Sequence, residues 1–360
     1  MRFDRTTLPY GVFSTQGGTP RIGVAVDGGV LDLAEHLDPS FEASSLNAFM
    51  AQGRARWAEV RAAVRQRLDS PLVPLADVTL HLPFEVADYV DFYASEQHAT
   101  NLGRMFRPDG EALLPNWKHL PVGYHGRAGT VVVSGTPVRR PQGLRLPGPT
   151  YGPSLKLDVE VELGFVVGTP SVLGTPVSTG AFEDHVFGVV VLNDWSARDI
   201  QSYEYVPLGP FLGKSFATSI SPWVVPLEAL TRVPAPAQDP EPADYLMVEG
   251  DWAYDLTLDL AVNGTSLSHP PYKGMYWTAP QMLAHLTANG ASLRTGDLFA
   301  SGTISGDGVD QRGSLIELTW NGRDPINGRT FLQDGDSVTI SASTSTGAWL
   351  GEVQGTILPS

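Results

Sequence analysis

Apolar and polar residues alternate along most of the chain, and this two-residue period is typical of β-strands that bury one face. Near the start, "GVFS", "RIGVAV" and "GVLDLAEHL" predict strands, and the "DGG" between the last two predicts a hairpin turn. Residues 44–68 instead carry apolar side chains at three- and four-residue spacing, which predicts a helix. Three prolines between residues 70 and 86 end that pattern, so we expect a small N-terminal domain at residues 1–85.

Beyond residue 85 the alternating pattern dominates. It predicts strands in "GTVVVSGTPV", "LDVEVELGFVV", "VFGVVVLND", "WAYDLTLDLAVNG" and "GDSVTISAS". Helices are predicted near residues 95–106 and 196–204, and in "APQMLAHLTANG", where Gly290 would end the helix. We interpret the proline-rich residues 234–245 as a surface excursion. The chain is therefore predicted to be mainly β (α+β), with a closed or rolled mixed sheet in residues 86–360.

Composition narrows the possible partners. The 39 acidic and 24 basic residues give a net charge of −15, which repels nucleic acid and anionic membrane surfaces. The chain has no cysteine, so disulfides, thiolate nucleophiles and cysteine-bound zinc are excluded, and a metal would bind oxygen or imidazole. The longest apolar stretch, residues 186–192, is too short to span a bilayer, and the start lacks the apolar run of a signal peptide. We expect a cytoplasmic protein without a nucleic-acid or membrane partner.

Acidic residues recur within one predicted strand. In "LKLDVEVELGF" the alternation places Asp158, Glu160 and Glu162 on one face. That face is either solvated or the site of a divalent cation, since two glutamates at i and i+2 can offer oxygens to Mg²⁺ or Ca²⁺ together. Asp91 and Asp194, at the ends of two other predicted strands, are candidates to complete such a site, although either could be a turn or capping residue.

A polar helical face is predicted after Asp194. Ser196 followed by Asp199 resembles a capping box, and the helix would place four residues on one face. These residues are Asp194, Arg198, Gln201 and Tyr205. The face is either solvated or part of a lined pocket, and the apolar strand before it favours the pocket.

The segment "GPFLGKSF", residues 209–216, is similar to a phosphate-binding loop, but three residues rather than four separate its glycines and Pro210 has no N–H to donate. A nucleotide site is therefore not predicted, and Lys214 is either solvated or serves another anion. His98 follows Asp91 by seven residues in a predicted helix, as a base or a structural residue. Because the chain lacks a "GxSxG" elbow, water is the remaining nucleophile.

Longer segments, from about residue 90 to residue 320, resemble the fumarylacetoacetate hydrolase family. They are "DFYASEQHATNLGRMFR", "LLPNWKHLPVGYHGRAGTVVVSGTPVRRP", "LDVEVELGF", "VLNDWSARDIQSYEYVPLGPFLGKSFATSISPWVVP", "MYWT" and "LFASGTISG". The resemblance implies an N-terminal SH3-like β-domain, a C-terminal mixed β-roll, a homodimer, and Ca²⁺ or Mg²⁺ at each active site.

The resemblance also implies roles for individual residues. The implied metal ligands are Asp91, Glu160, Glu162 and Asp194, with Lys214 near the metal but not bound to it. His98 is the implied base, oriented by Glu317, and Lys214, Arg198 and Gln201 would polarise the oxygens of the substrate. Further implied substrate contacts are Tyr93, Arg107, Tyr124, Tyr205 and Thr303.

The activity that the resemblance implies is metal-dependent hydrolysis of a carbon–carbon bond in 4-fumarylacetoacetate, a small diketo acid, in tyrosine and phenylalanine catabolism. Two alternatives stay open. An acylpyruvate hydrolase or 2-oxo acid decarboxylase would share the acidic metal site and bind shorter substrates. A non-catalytic β binding module stabilised by a cation would use the acids only to hold its fold.

Overall fold

The computed structural model describes residues 3–146 and 148–360. The N-terminal strands are β1 (Tyr10–Thr15), β2 (Arg21–Val26), β3 (Gly29–Asp32), β4 (Val73–Pro74) and β5 (Val78–His81). The predicted hairpin joins β2 and β3 in antiparallel register. Its two turn residues, Asp27 and Gly28, both have positive φ, 51° and 86°, as the tight hairpin turn requires.

The helix predicted at residues 44–68 is wrong in its extent. The structure has α1 (Leu33–His36), α2 (Asn47–Met50) and α3 (Arg54–Arg65). Gly53 separates the last two, and its φ of 84° lies in the left-handed region, which an α-helix cannot include. The apolar spacing was nevertheless meaningful, because Trp57, Val60 and Val64 of α3 are all buried.

The rest of the chain is mainly β. Its strands are β6 (Tyr89–Phe92), β7 (Gly123–His125), β8 (Val131–Val133), β9 (Val138–Arg139), β10 (Gln142–Arg145), β11 (Thr150–Pro153), β12 (Leu157–Asp158), β13 (Val161–Val167), β14 (Val186–Asp194), β15 (Ser196–Ala197), β16 (Thr218–Ile220), β17 (Trp223–Pro226), β18 (Arg232–Pro234), β19 (Trp252–Tyr254), β20 (Leu256–Val262), β21 (Thr265–Ser268), β22 (Leu298–Ala300), β23 (Ser337–Thr344) and β24 (Trp349–Leu358). Its helices are α4 (Glu96–Phe106), α5 (Phe182–His185), α6 (Arg198–Glu204), α7 (Ala279–Thr287) and α8 (Leu315–Leu318). None of the helices in the described ranges is both long and apolar enough to cross a membrane.

One large mixed sheet unites the two parts of the chain. Its main path runs β4-β3-β2-β1-β17-β14-β13-β22-β6-β7. The antiparallel pairing of β1 with β17 joins the N-terminal strands to the rest, and the parallel pairing of β22 with β6 makes the sheet mixed. A second sheet has the order β21-β20-β23-β24-β9. The predicted mainly β class with a mixed, rolled sheet is therefore confirmed.

The middle of the large sheet is buried on both faces. Every residue of β13 and β14 is buried, with Leu163 and Phe165 packed into one apolar cluster and Val190 and Leu192 into another. The interpretation of Asp158, Glu160 and Glu162 as a solvated face is wrong, since none of them is more than 4% exposed. Regular pairing also stops between β12 and β13, so the three acids do not share one continuous strand face.

Candidate active site

Four carboxylates from neighbouring strands of the large sheet meet in one place. One oxygen from each of Asp91, Glu160, Glu162 and Asp194 lies within 4.8 Å of the others, and all four residues are buried. Strand pairing explains the arrangement: Asp91 is paired with Ala300 of β22, which is the neighbour of β13, and Asp194 is the last residue of β14 on its other side. We call these four residues the carboxylate cluster.

The carboxylate cluster has the chemistry of a site for a hard divalent cation. Burial and neighbouring carboxylates, chiefly Asp194 for Asp91 and Asp91 for Glu162, raise the pKa values of Asp91 and Glu162 well above their usual range. Asp91 Oδ1 and Glu162 Oε1 are buried and accept no hydrogen bond within the described structure. Because such anions repel one another when alone and oxygen ligands suit Mg²⁺ and Ca²⁺, these residues fit a bound cation.

Two cationic side chains compensate part of this charge. The Lys214 ammonium contacts Glu160 and lies 2.6 Å from Asp194 Oδ2, and Arg198 Nη2 lies 2.7 Å from Glu160 Oε1. Burial favours the neutral form of Glu160, but Arg198 and Lys214 outweigh it and hold the pKa of that carboxyl below its usual value. The same pairing raises the pKa of Lys214 despite its burial, so the lysine stays charged.

The helix that carries Arg198 does not begin as predicted. Ser196 belongs to strand β15, and its hydroxyl donates to the carbonyl of Asp194 rather than capping a helix. Helix α6 begins at Arg198, so Asp194 lies at a strand end and not on the helical face with Gln201 and Tyr205. The capping-box interpretation is wrong because the backbone at residues 196–197 pairs with β12.

Arg198 separates Asp158 from the carboxylate cluster. The Arg198 guanidinium donates through Nε to Asp158 Oδ2 at 2.7 Å and through Nη1 to Gln201 Oε1 at 3.1 Å. Asp158 also accepts the backbone N–H groups of Leu315 and Ile316, the first residues of α8. Asp158 therefore fixes Arg198 and α8 in place.

A buried histidine and glutamate lie beside the cluster. His98 is held near the start of α4, where Ser95 caps the helix by accepting the His98 N–H. Its Nδ1 lies 2.6 Å from Glu317 Oε2, and its Nε2 lies 3.9 Å from Glu160 Oε1. Burial favours the neutral form of Glu317, but charge attraction to His98, together with hydrogen bonds from His98, Asn101 and Ser314, outweighs it and keeps the pKa of Glu317 below its usual value. A neutral His98 beside ionised Glu317 would carry its proton on Nδ1 and leave Nε2 free to accept one.

These groups open into one cavity of about 480 Å³. Its lining includes Asp91, Tyr93, His98, Arg107, Tyr124, Glu160, Arg198, Gln201, Tyr205, Lys214 and Thr303. Glu162, Asp194 and Glu317 lie behind this surface and are fully buried. The structure thus brings together, in or directly behind one cavity, the residues to which the family resemblance gave roles, whereas Asp158 lies apart from them.

The residues implied to contact the substrate make different contacts within the chain. Tyr93 packs edge-on against the His98 ring with centroids 5.3 Å apart, and Arg107 donates to the carbonyl of Ala112 at 2.7 Å. Tyr124 OH lies 3.5 Å from Asp194 Oδ2. The Thr303 hydroxyl is buried and has no hydrogen-bond partner in the described structure. An unpaired polar group on a cavity wall is suited to contact a bound ligand.

Sequence reasoning missed several residues of the site. Asn101, Ser305 and Ser314 donate to Glu317, and an apolar wall of the cavity is formed by Leu102, Phe106, Leu113, Leu114, Trp117 and Leu208. Asn101 lies one helical turn after His98, a spacing that could have identified it. Ser314 precedes α8 and lies three residues before Glu317, the S-x-x-E spacing of a capping box, which could have identified it. Ser305 lies in an irregular segment, where no spacing rule connects it with Glu317.

Comparison with known proteins assigns the family. A family model described as "Fumarylacetoacetate (FAA) hydrolase C-terminal" matches residues 88–358, and one described as "Fumarylacetoacetase N-terminal" matches residues 6–83. The fumarylacetoacetase of Rattus norvegicus is 46% identical over 403 residues, covering 99% of this chain and 96% of the relative. The fumarylacetoacetase of Homo sapiens is 47% identical over 398 residues, with 98% and 95% coverage.

Solved structures share the fold at lower identity. The fumarylacetoacetate hydrolase from psychrophilic Exiguobacterium antarcticum is 20% identical with a TM-score of 0.59, covering 98% of this chain and 100% of that one. The maleylpyruvate hydrolase from Sphingobium sp. SYK-6, solved in complex with a manganese(II) ion and pyruvate, is 18% identical with a TM-score of 0.60 and coverages of 98% and 99%.

The fold and the buried site, taken with these matches, define a hydrolase that acts on carbon–carbon bonds. The chain belongs to the fumarylacetoacetase family, whose N-terminal and C-terminal models it matches along nearly its whole length.

Proposed function

We propose that this chain hydrolyses 4-fumarylacetoacetate to fumarate and acetoacetate, the last step of tyrosine and phenylalanine catabolism. The observation that carries the proposal is that His98, backed by Glu317 at 2.6 Å, opens into the same cavity as the carboxylate cluster and two cationic side chains. The full-length similarity to curated fumarylacetoacetases supports the choice of substrate.

His98 acts as the general base. Because Glu317 accepts the Nδ1 proton, Nε2 carries a lone pair and takes a proton from water in the cavity. The water oxygen forms a bond to the carbonyl carbon beside the fumaryl part, and the electron pair of the carbonyl moves onto its oxygen. This hydration yields a tetrahedral alkoxide and an imidazolium that Glu317 stabilises.

Collapse of the alkoxide breaks the carbon–carbon bond. The carbonyl re-forms as a carboxylic acid, which is fumarate after loss of its proton, and the bonding pair leaves on the neighbouring methylene as the enolate of acetoacetate. His98 returns its proton to that carbon, so atoms and charge balance. Lys214, Arg198 and Gln201 line the cavity and stabilise the negative charge on the oxygens during both steps.

The carboxylate cluster holds Ca²⁺ or Mg²⁺ in this proposal. Asp91, Glu160, Glu162 and Asp194 would be the ligands, and Lys214, 2.6 Å from Asp194 Oδ2, would lie beside the ion without binding it. When bound, the ion supplies Lewis-acid stabilisation of negative charge on substrate oxygen. Its support in this chain is the pair of buried carboxylate oxygens without hydrogen-bond partners.

Substrate orientation is assigned to the remaining polar lining. The substrate ends in carboxylates. Among the lining residues, Arg107 offers a guanidinium, while Tyr93, Tyr124, Tyr205 and Thr303 offer hydroxyl groups. The apolar wall between Leu102 and Trp117 matches the carbon skeleton of a diketo acid better than that of a phosphorylated ligand.

A hydrolysis assay tests the proposal. Purified protein is given fumarylacetoacetate and, separately, acetylpyruvate, and loss of the conjugated diketone absorbance is followed. We expect a strong preference for fumarylacetoacetate. A preference for acetylpyruvate would indicate an acylpyruvate hydrolase instead, and turnover of neither substrate would favour a cation-stabilised binding module.

We also propose that the enzyme is a cytoplasmic homodimer. Exposed large apolar side chains concentrate in two segments, residues 144–155 and 203–212. They are Leu144, Leu146, Tyr151, Leu155, Tyr203, Tyr205, Val206, Leu208, Phe211 and Leu212. The segments adjoin, since a Cβ placed on Gly143 of β10 would lie 2.9 Å from Ile200 of α6. An apolar surface of this kind is suited to a second copy of the chain.

A further inference from the structure

The carboxylate of Glu317 accepts four side-chain hydrogen bonds. Oε2 lies 2.6 Å from His98 Nδ1 and accepts the hydroxyls of Ser314 at 2.8 Å and Ser305 at 2.9 Å. Oε1 accepts Asn101 Nδ2 at 2.9 Å. Glu317 and both serines are 0% exposed, so these protein donors take the place of solvent. An ionised carboxylate has about four lone-pair positions, so Glu317 accepts as many hydrogen bonds as a carboxylate normally does, three of them at Oε2.

The donors have little freedom to turn away. Ser305 Oγ accepts the backbone N–H of Gly313 at 3.1 Å, which leaves its only proton for Glu317. Asn101 lies on α4 one turn after His98, so the same helix fixes the base and a donor to its partner. Rotation of the Glu317 carboxylate would break several short bonds at once in a buried site.

We propose that Asn101, Ser305 and Ser314 are positioning residues that hold Glu317 in the orientation in which His98 keeps its proton on Nδ1 and presents an unprotonated Nε2 to the cavity. The inference rests on the proposed function, because it assumes that His98 is the base there. Without these donors the carboxylate can rotate, and the imidazole can take the other tautomer, whose Nε2 proton blocks acceptance from water.

Kinetics of Asn101→Leu give the first test, with Gln97→Leu as the matched control. Gln97 lies one turn earlier on α4 and donates its amide to Asp307 at 3.2 Å instead of to Glu317. We expect kcat for Asn101→Leu to fall about tenfold, equivalent to about 1.4 kcal/mol of barrier. KM should change by less than about twofold, because a positioned base acts on the transition state. The control should match the wild type in both constants.

The tautomer of His98 gives the second test. Long-range ¹H–¹⁵N spectra of the substrate-free holoenzyme should show only the Nδ1-protonated ring, assigned by its loss in His98→Gln. Asn101→Leu with Ser305→Ala should show the Nε2-protonated form as well. An unchanged tautomer in this folded variant would overturn the proposal whatever its turnover. If the double variant does not fold, Asn101→Leu alone is judged by the same criterion.

This measurement separates the two proposals. The spectra report the ring and not the reaction, so a shifted tautomer in a protein without diketone hydrolase activity would refute the proposed function and support the positioning roles. A wild-type enzyme that hydrolyses fumarylacetoacetate while its positioning variants keep both kcat and tautomer would refute the positioning roles alone.

Discussion

In this site, two cationic side chains compensate part of the charge of the buried carboxylates. The four carboxylates of the cluster and Asp158 are all buried, and the cations that contact them in the described structure are Lys214 and Arg198. Arg198 is shared between Asp158 and Glu160, which leaves Lys214 as the main partner of Asp194. The remaining negative charge favours a divalent ion and makes each of these residues sensitive to neutralisation.

At this scale we expect His98→Ala to lose most turnover with little change in affinity for a substrate analogue. General-base catalysis is typically worth ~10²–10⁴ in rate and acts on the transition state rather than on ground-state binding. Steady-state kinetics and analogue titration measure the two effects. His125→Ala is the control, since His125 is exposed. A fall in kcat of less than about tenfold would mean that another group activates the water.

Lys214→Met should lower kcat by roughly 10²–10³ while the protein still binds its metal. Methionine keeps most of the stem and removes the charge that faces developing oxyanions. Loss of a cation beside the carboxylate cluster should strengthen metal binding rather than weaken it. Kinetics and metal titration test this, with the exposed Lys273→Met as control. The prediction would be contradicted if the wild type bound ATP and Lys214→Met lost that binding but retained hydrolysis. That result would indicate a nucleotide site at residues 209–216.

Helices, strands and loops shape the site through close contacts between their backbones. The loop that holds Lys214 meets α6 at Gly213, where a Cβ would lie 2.8 Å from the Gln201 nitrogen. Helix α4 meets the cavity wall at Gly103, where a Cβ would lie 1.8 Å from the Ala112 carbonyl oxygen. On β13, alternation leaves the side chain of Glu162 in the carboxylate cluster, with Oε2 accepting the N–H of Gly302. These contacts give predictions for a helix and for a strand.

Gly103→Ala should displace the segment around Ala112 and deform the cavity wall formed by Leu113 and Leu114. We expect KM to rise and the free energy of unfolding to fall by about 1–3 kcal/mol, as in other overpacked sites. Denaturant titration and kinetics measure these changes. Gly110→Ala is the matched control, because its Cβ would have no neighbour closer than 3.8 Å. Equal behaviour of the two variants would contradict the packing argument.

Glu162→Gln should have opposite effects with and without metal. The amide keeps an oxygen for the Gly302 N–H and removes one of the repelling carboxylates, so the chelator-treated variant should be at least as stable as chelator-treated wild type. Added Mg²⁺ or Ca²⁺ should raise the Tm of the wild type, and it should raise the Tm of the variant much less.

Thermal melts and elemental analysis of the double variant Glu160→Gln with Glu162→Gln complete the test. An unchanged metal-to-protein ratio in the folded double variant would remove these residues from the site.

The whole molecule is organised around the sheet that crosses from the N-terminal part into the catalytic part. Pairing of β1 with β17, and the contact of Arg61 of α3 with Glu228 at 3.2 Å, join the two parts. Other apolar side chains are not packed against the chain: at the rim of the site, Leu208 is 94% exposed and Phe211 is 63% exposed. In the proposed homodimer, a second copy of the chain would bury these side chains.

Phe211→Glu with Leu208→Glu should therefore shift the protein from dimer to monomer, because a charge in an apolar interface is strongly unfavourable. Light scattering after size-exclusion chromatography measures the mass. Val172→Glu, at an apolar residue that is 72% exposed elsewhere on the chain, should leave the mass unchanged. A monomeric wild type, or a dimer that survives the double substitution, would contradict the proposed interface.

Several local features could be predicted from the sequence because neighbouring residues determine them. The hairpin at Asp27 and Gly28 follows from turn chemistry, and α4 and α7 follow from apolar spacing and capping residues. Glu160 and Glu162, at the start of β13, were identified as metal candidates from their alternation in the sequence. Their roles, and the link from His98 to Glu317, came from resemblance to a family, since no spacing rule joins residues 219 positions apart.

Only the tertiary structure determined the features that depend on pairing between segments far apart in the sequence. Burial of β13 between two apolar clusters turned an apparently solvated acid face into an interior site, and pairing of residues 196–197 with β12 delayed the start of α6 to Arg198. Asp158 was separated from its neighbours because Arg198 reaches it from another element. Sequence period specifies which residues can share a face, whereas burial and partner choice depend on strands and helices brought together from across the chain.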